Sequence, residues 1–220
     1  MNKFTILGHC NTSIGIILDS LYGTYKNLDI EIINNISESE NRFADMPYLH
    51  KNIKTIELHI DDWIPNRNEQ FILSGMSPKV KKHIFTSFHT KYAFSSSNFM
   101  KVIHSSAVIT NGVKLSNSVN ISPLSVIAQY AELGHFVTIN RNCSIGHHTT
   151  IDDYTSVNPG CNIGGSCKIG KNVVIGIGAT VFDNIKIGDN AIIGRGAVVT
   201  KNVEANTLVY GSPAKFIKKI

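Results

Sequence analysis

Nowhere in this 220-residue chain does an apolar run reach the roughly eighteen residues that a membrane-crossing helix needs. The opening MNKFTILGHCNTSIGIILDS holds a short apolar stretch, but His9, Asn11 and Asp19 break it and no small-residue cleavage site follows. It reads as strand, loop and helix rather than as a secretion signal, and a cytoplasmic protein is expected. Basic runs interleaved with aromatics are also missing, and the net charge of +5 is modest, so no nucleic-acid partner is indicated. A mild positive excess suits small phosphorylated ligands. Cysteine is scarce, with four in all. Cys143, Cys161 and Cys167 recur at one phase of a repeat, which marks them as small buried spacers rather than disulfide or metal partners.

What the chain does have is that repeat. Residues 102–203 divide into seventeen hexads without an insertion, from VIHSSA to VVTKNV. The second position is aliphatic throughout, as in Ile103, Leu115, Ile145, Val157 and Val199, and the sixth is nearly always small. A fixed short period is the mark of a stacked solenoid. Strand side chains alternate with period two, so positions six and two face one interior across position one. The third and fourth positions are expected to turn a corner, with Gly, Asn and Asp there tolerating positive φ. Three hexads make one triangular coil, so residues eighteen apart stack, and each coil buries its face only against its neighbours.

The first hundred residues follow other rules. Lys3 to Leu7, Leu28 to Ile33, Ile53 to Ile60 and Gln70 to Leu73 read as strands. One helix is expected from Ile14 to about Tyr22, capped by Thr12 or Ser13, and a second from Ser77-Pro78 to about Phe88. The alternation predicts a Rossmann-like α/β domain over residues 1–98, then a β-solenoid over 99–205 and a C-terminal cap over 206–220. Parallel sheets bind ligands at the carboxyl ends of their strands. Gly8, His9, Cys10, Asn11, Asn34, Asn35 and Gly75 occupy those ends and are candidate substrate contacts, and a helix starting after Ser13 would offer free N–H groups to a phosphate. Ordinary strand-to-helix turns would look the same.

The hexads resemble the hexapeptide-repeat acyltransferases, whose fold is the left-handed parallel β-helix. Three further features narrow the likeness: the segment Ile145-Gly146-His147-His148 leading on to Ser156-Val157-Asn158-Pro159-Gly160, Asn140 seven residues before His147, and the ending Gly211 to Lys215. Together with the α/β domain they resemble the branch holding sialic-acid O-acetyltransferases and N-acetyltransferases of nucleotide-linked amino sugars.

That resemblance implies acetyl-CoA as co-substrate, a nucleotide-linked or free sugar as acceptor, no metal, and bacterial surface-glycan synthesis as the setting. It also implies a homotrimer with active sites shared between subunits. His147 maps onto the catalytic histidine, the proton acceptor in acetyl transfer. His148 stands where relatives usually carry Asp or Glu and is counted with the catalytic pair, although an outward corner residue would read the same way. Asp152, Asp153 or a backbone carbonyl are then candidates for orienting His147. Gly165, eighteen residues on, is implied as the amide donor to the thioester carbonyl. Ile177, Gly178 and Arg195 are implied to line the pantetheine arm, and Asn140 to join the site. Lys201, expected on the same edge as Arg195 and His147, would meet the CoA phosphates. His104 and His135 do not stack on His147, so no three-histidine zinc site is expected within one subunit. Outward apolar residues Val126, Val174 and Ile192 are expected to meet at a three-fold axis. Three functions follow: transfer to a sugar amine, transfer to a hydroxyl of sialic acid or another polysaccharide sugar, or a non-catalytic scaffold. The Asn140, His147 and Gly165 set speaks against the last.

Overall fold

A computed structural model describes residues 2–25, 27–36, 53–66 and 68–220; the side chain of Asn11 lies outside the described residues. The first part is a four-stranded parallel sheet in the order β3-β2-β1-β4, with β1 at Asn2–Leu7, β2 at Leu28–Asn34, β3 at Ile53–His59 and β4 at Phe71–Leu73. The inner strands β1 and β2 bury Ile6, Leu7, Ile30, Ile32 and Ile33, as strands covered on both sides must. Helix α1 spans Asn11–Tyr22 and begins three residues earlier than the sequence suggested. Cys10 is its N-cap, without a side-chain cap bond. Ser13, expected to cap it, instead accepts from the amide of Gly75 at 2.9 Å and ties α1 to the end of β4. Helix α2, Pro78–Tyr92, starts as read, with Ser77 Oγ accepting from Val80 N and Pro78 in the first turn, and runs one turn further than expected.

From Val102 the chain forms seventeen two-residue strands, one per hexad, ending at Val198–Val199. They make three parallel sheets, and every pairing joins residues eighteen apart, such as Ile145 with Ile163 and Ile163 with Val181. This pattern fits a left-handed β-helix. The first face carries strands beginning at Val102, Asn120, Thr138, Ser156, Val174 and Ile192. The second face begins at Val108, Val126, Ser144, Asn162, Thr180 and Val198, and the third at Lys114, Glu132, Thr150, Lys168 and Lys186. Position-two and position-six side chains fill the interior. Beyond the repeat, Thr207–Tyr210 joins the first face and pairs antiparallel with Lys215–Lys219.

Two structural details correct the hexad reading. Positive φ falls on position five, at every sixth residue from Gly112 to Gly196, and not on positions three and four. Glycine at position three serves close stacking instead. A Cβ on Gly146 would lie 2.4 Å from the carbonyl carbon of Gly164 in the next coil, and one on Gly176 would lie 2.7 Å from Arg195 N. Position six is also more than a spacer. Ser125, Cys143, Thr149, Thr155, Cys161 and Cys167 each donate to a carbonyl fifteen residues on, and Ser125, Thr149 and Thr155 also accept an amide eighteen residues on.

The two parts meet along the edge between the third and first faces. Phe136 and Tyr154 pack there with Phe85 of α2 and with Phe99. Lys81, 2 % exposed, reaches from α2 into the solenoid and donates to Phe136 O at 2.7 Å, Thr138 Oγ1 at 3.1 Å and Thr155 O at 3.3 Å. Burial pushes its pKa well below the usual lysine value. Among the described residues no helix is long and apolar enough to cross a membrane.

Candidate active site

The eighteen-residue stack decides which candidates are neighbours. His147 sits at position four of its hexad, on the edge between the second and third faces. Gln129 lies one coil below it, and Gly165, Asp183 and Lys201 lie on successive coils above. The ring of His147 rests on Gly165. A Cβ at Gly165 would come within 2.7 Å of both Cε1 and Nε2, so only glycine leaves the imidazole its place. The other ring nitrogen, Nδ1, is 3.1 Å from Nδ1 of His148. His148 has φ +56°, as position five requires, and its ring stands 5.0 Å from that of Tyr130, one coil below. Both histidines are exposed.

The amide of Gly165 is not free for a thioester carbonyl. It donates to Asp183 Oδ1 at 2.5 Å. The reason is a rule of this fold: an aspartate at position four caps the position-four amide one coil below. Asp153 does so for His135 and Asp189 for Lys171. The same rule removes Asp153 as an orienting group for His147, since Asp153 lies on another edge and also pairs with Lys171 at 3.4 Å. Asp152 shares that corner, and burial followed by the charge of Asp153 raises its pKa. Among the described residues the side chain within reach of His147 Nδ1 is His148, the residue counted with it from the sequence.

Arg195 does not share an edge with His147 and Lys201, because it lies 48 residues past His147, which is not a multiple of eighteen. Ile177 and Arg195 belong with Arg141 and Pro159 on the edge between the first and second faces, with Gly178 at its left-handed turn position. Asn140 is buried on this second edge, where its Oδ1 accepts from Arg141 N at 2.8 Å. The second face separates the two edges. It carries a groove of about 320 Å³ lined by Asn162, Gly164, Thr180, Phe182 and Asp183, next to the Gly165 corner. The expected apolar cluster is also divided. Val126 is exposed on the second face, whereas Val174 and Ile192 lie on the first, beside Ser77, Pro78 and Lys82 at the start of α2.

The N-terminal candidates gather at the carboxyl ends of β1, β2 and β4, as the parallel register requires. Gly8, at φ +94°, is glycine for packing, since a Cβ there would meet Ile84 at 2.5 Å. The side chain of His9 is 4 % exposed, and among the described residues neither ring nitrogen has a hydrogen bond, although Nδ1 is 3.8 Å from Glu57 Oε2. Cys10 Sγ is 3.8 Å from Thr12 Oγ1. Asn34 Oδ1 accepts from Ile36 N, and Asn35 Nδ2 donates to Ser87 Oγ, leaving the buried Asn35 Oδ1 without a partner among the described residues. Gly75, at φ +114°, is the donor to Ser13. Sequence reasoning missed Asp183, Tyr130 and Lys81. The first two follow from adding eighteen to 165 and subtracting it from 148. Lys81 lies on the same helical stripe as Ile84 and Phe88.

Comparison with known proteins adds the following. Residues 166–201 match the family model "Bacterial transferase hexapeptide (six repeats)". No curated protein matches the chain in sequence. Solved structures match over nearly the whole length. A histidine-to-alanine mutant of GDP-perosamine N-acetyltransferase from Caulobacter crescentus, in complex with CoA and GDP-perosamine, is 17% identical with a TM-score of 0.79, covering 98% of this chain and 97% of that one. The acetyltransferase domain of PglB from Neisseria gonorrhoeae, in complex with acetyl coenzyme A, is 16% identical at TM-score 0.76, with 98% of both chains covered. WeeI from Acinetobacter baumannii is 21% identical at TM-score 0.78, covering 98% of this chain and all of that one. The chain is thus similar in fold along nearly its whole length to GDP-perosamine N-acetyltransferase and to the acetyltransferase domain of PglB, and similar in sequence to the transferase hexapeptide family over residues 166–201.

Proposed function

We propose that the chain is an acetyl-CoA-dependent acetyltransferase acting on the amino group of a nucleotide-linked sugar in bacterial surface-glycan synthesis, with His147 as general base. The observation that carries this reading is the imidazole of His147 seated on Gly165 at a solenoid edge, in a fold similar to that of proteins captured with CoA and GDP-perosamine. The amine nitrogen attacks the thioester carbonyl carbon while His147 Nε2 takes its proton. The C–S bond then breaks, and the proton passes to the departing sulfur. Ile177, Gly178 and Arg195 line the pantetheine arm, Lys201 meets the CoA phosphates, and Asn140 supports the site.

In this reading residues 1–98 are a Rossmann-like, substrate-binding domain, 99–205 a left-handed β-helix and 206–220 a cap. Gly8, His9, Cys10, Asn11, Asn34, Asn35 and Gly75 lie at or beside the nucleotide site. The buried nitrogens of His9, without a hydrogen bond among the described residues, support this, since such atoms need a partner that a ligand would supply. The active unit is a cytoplasmic homotrimer. His147 lies on one edge, Ile177 and Arg195 on a second, and the N-terminal domain docks at a third. Copies around a three-fold axis would bring these edges together.

A second reading, transfer to a hydroxyl of sialic acid or another surface-polysaccharide sugar, is favoured by one observation. The amides of Asn34 and Asn35, where a nucleotide would be held, engage Ile36 and Ser87 of their own chain. The test is release of free thiol from acetyl-CoA across nucleotide-linked amino sugars and free sugars, with calorimetry of uridine and guanosine diphosphates on the full chain. Turnover with a nucleotide-linked amine together with diphosphate binding supports the first reading. Turnover with free sugars alone supports the second, and no thiol release with any acceptor rejects both.

A further inference from the structure

We propose that His148 is the positioning partner of His147, accepting the Nδ1–H of His147 on its own Nδ1 so that the two imidazoles act as one proton-sharing pair. The proposal rests on the reading of His147 as the base and deepens it.

The geometry is a column of rings built by the repeat. Gly112, at φ +78°, leaves space for Tyr130, since a Cβ there would meet that ring at 2.6 Å. Tyr130 in turn stands 5.0 Å from His148. The rings of His148 and His147 are nearly perpendicular, at 84°, with their Nδ1 atoms 3.1 Å apart. His147 then closes on Gly165. The backbone fixes both residues, with His148 N donating to Gln129 O at 3.0 Å and Ser166 N donating to His147 O at 2.8 Å. Two imidazoles held in this way can share a hydrogen bond in only one sense at a time, because one Nδ1 must carry hydrogen and the other a lone pair.

The productive sense has His147 as donor. Its Nδ1–H then points to His148, Nε2 keeps its lone pair, and His148 carries hydrogen on Nε2. When the acceptor amine gives up its proton, His147 becomes an imidazolium with hydrogen on both nitrogens. The Nδ1–H···Nδ1 bond spreads that charge over two rings until Nε2 returns its proton to the sulfur of CoA. In the reverse sense, with hydrogen on His148 Nδ1, His147 must hold its own on Nε2, and the base is blocked. The direction of this one hydrogen bond therefore decides whether Nε2 of His147 can accept a proton. The titratable groups stacked on the same edge are Tyr130 below, and Asp183 and Lys201 above. Asp183 is taken up by the Gly165 amide.

The test uses full-length protein with ¹⁵N-labelled histidine, read by long-range proton–nitrogen correlation, so that it does not depend on turnover. His147 is expected as the Nδ1–H form and His148 as the Nε2–H form. In His148→Gln, whose side-chain oxygen accepts the same bond, His147 keeps its form. In His148→Ala it shifts toward Nε2–H. In kinetics, His148→Ala lowers kcat about 10²-fold, the usual cost of a misplaced group, with KM for acetyl-CoA unchanged, and His148→Gln recovers most of the loss. A wild-type His147 already protonated at Nε2, or a His148→Ala variant with unaltered kcat and pH profile, overturns the pair. Failure of every variant, wild type included, to transfer acetyl defeats the functional reading instead, and the tautomer spectra then decide the pairing alone.

Discussion

Gly165 shows how much a single residue carries here. It has no side chain because His147 occupies that space, and its amide is held by Asp183 from the coil above. The imidazole is therefore placed by the coil above it and by His148 beside it. His147→Ala should lower turnover by about 10²–10⁴-fold, the usual contribution of a positioned base. An exposed corner side chain contributes little to the core, so its thermal unfolding should match the parent. Steady-state kinetics alongside a melting curve checks both, and near-normal turnover would remove His147 from the role.

At the scale of the element, the hexad is a hydrogen-bonding unit as well as a hydrophobic one. Thr149, fully buried, donates to Gly164 O at 2.8 Å and accepts from Cys167 N at 3.1 Å. Thr149→Val keeps the shape and leaves both backbone groups unpaired, at a cost of about 1–3 kcal/mol measurable by denaturant titration. Lys81 belongs to the same scale, because it joins α2 to the solenoid through three uncharged acceptors. Its folded pKa is depressed by burial, so the unfolded chain binds its proton more readily. Stability from this group is thus fully present above the unfolded value of 10.5 and is lost as pH falls through the depressed folded value. Compared with Lys81→Met, the wild type should gain stability as pH rises toward 10.5; a difference that is flat or falls with pH would contradict this.

At the scale of the whole molecule the candidate groups are dispersed, and that dispersal is itself informative. A site on one chain would not need His147 and Arg195 on edges separated by a full face. Light scattering is expected to give about three times the chain mass of 24.2 kDa. A sharper check mixes His147→Ala and Arg195→Ala chains in equal amounts by refolding. If each site takes its histidine from one copy and its arginine from a neighbour, about a quarter of the sites regain both, and activity returns. Sites contained within one chain would recover nothing.

The sequence alone determined the solenoid, because its information is local. A period of six sets which residues face inward, and eighteen sets which ones stack, so His147 over Gly165 follows by counting. Counting likewise separates Arg195 from His147 once it is applied consistently. The strand order of the N-terminal sheet, the docking of α2 at Phe136 and Tyr154 and the burial of Lys81 were decided only in three dimensions. They depend on residues far apart in the chain, such as Lys81 and its acceptors 55 to 74 residues on, for which no repeat supplies a register. The sequence paired His148 with His147 by position but left the contact between their rings open. A histidine at position 148 reads equally as a catalytic partner or an outward corner until the left-handed turn at position five and the ring of Tyr130 bring its Nδ1 to face that of His147.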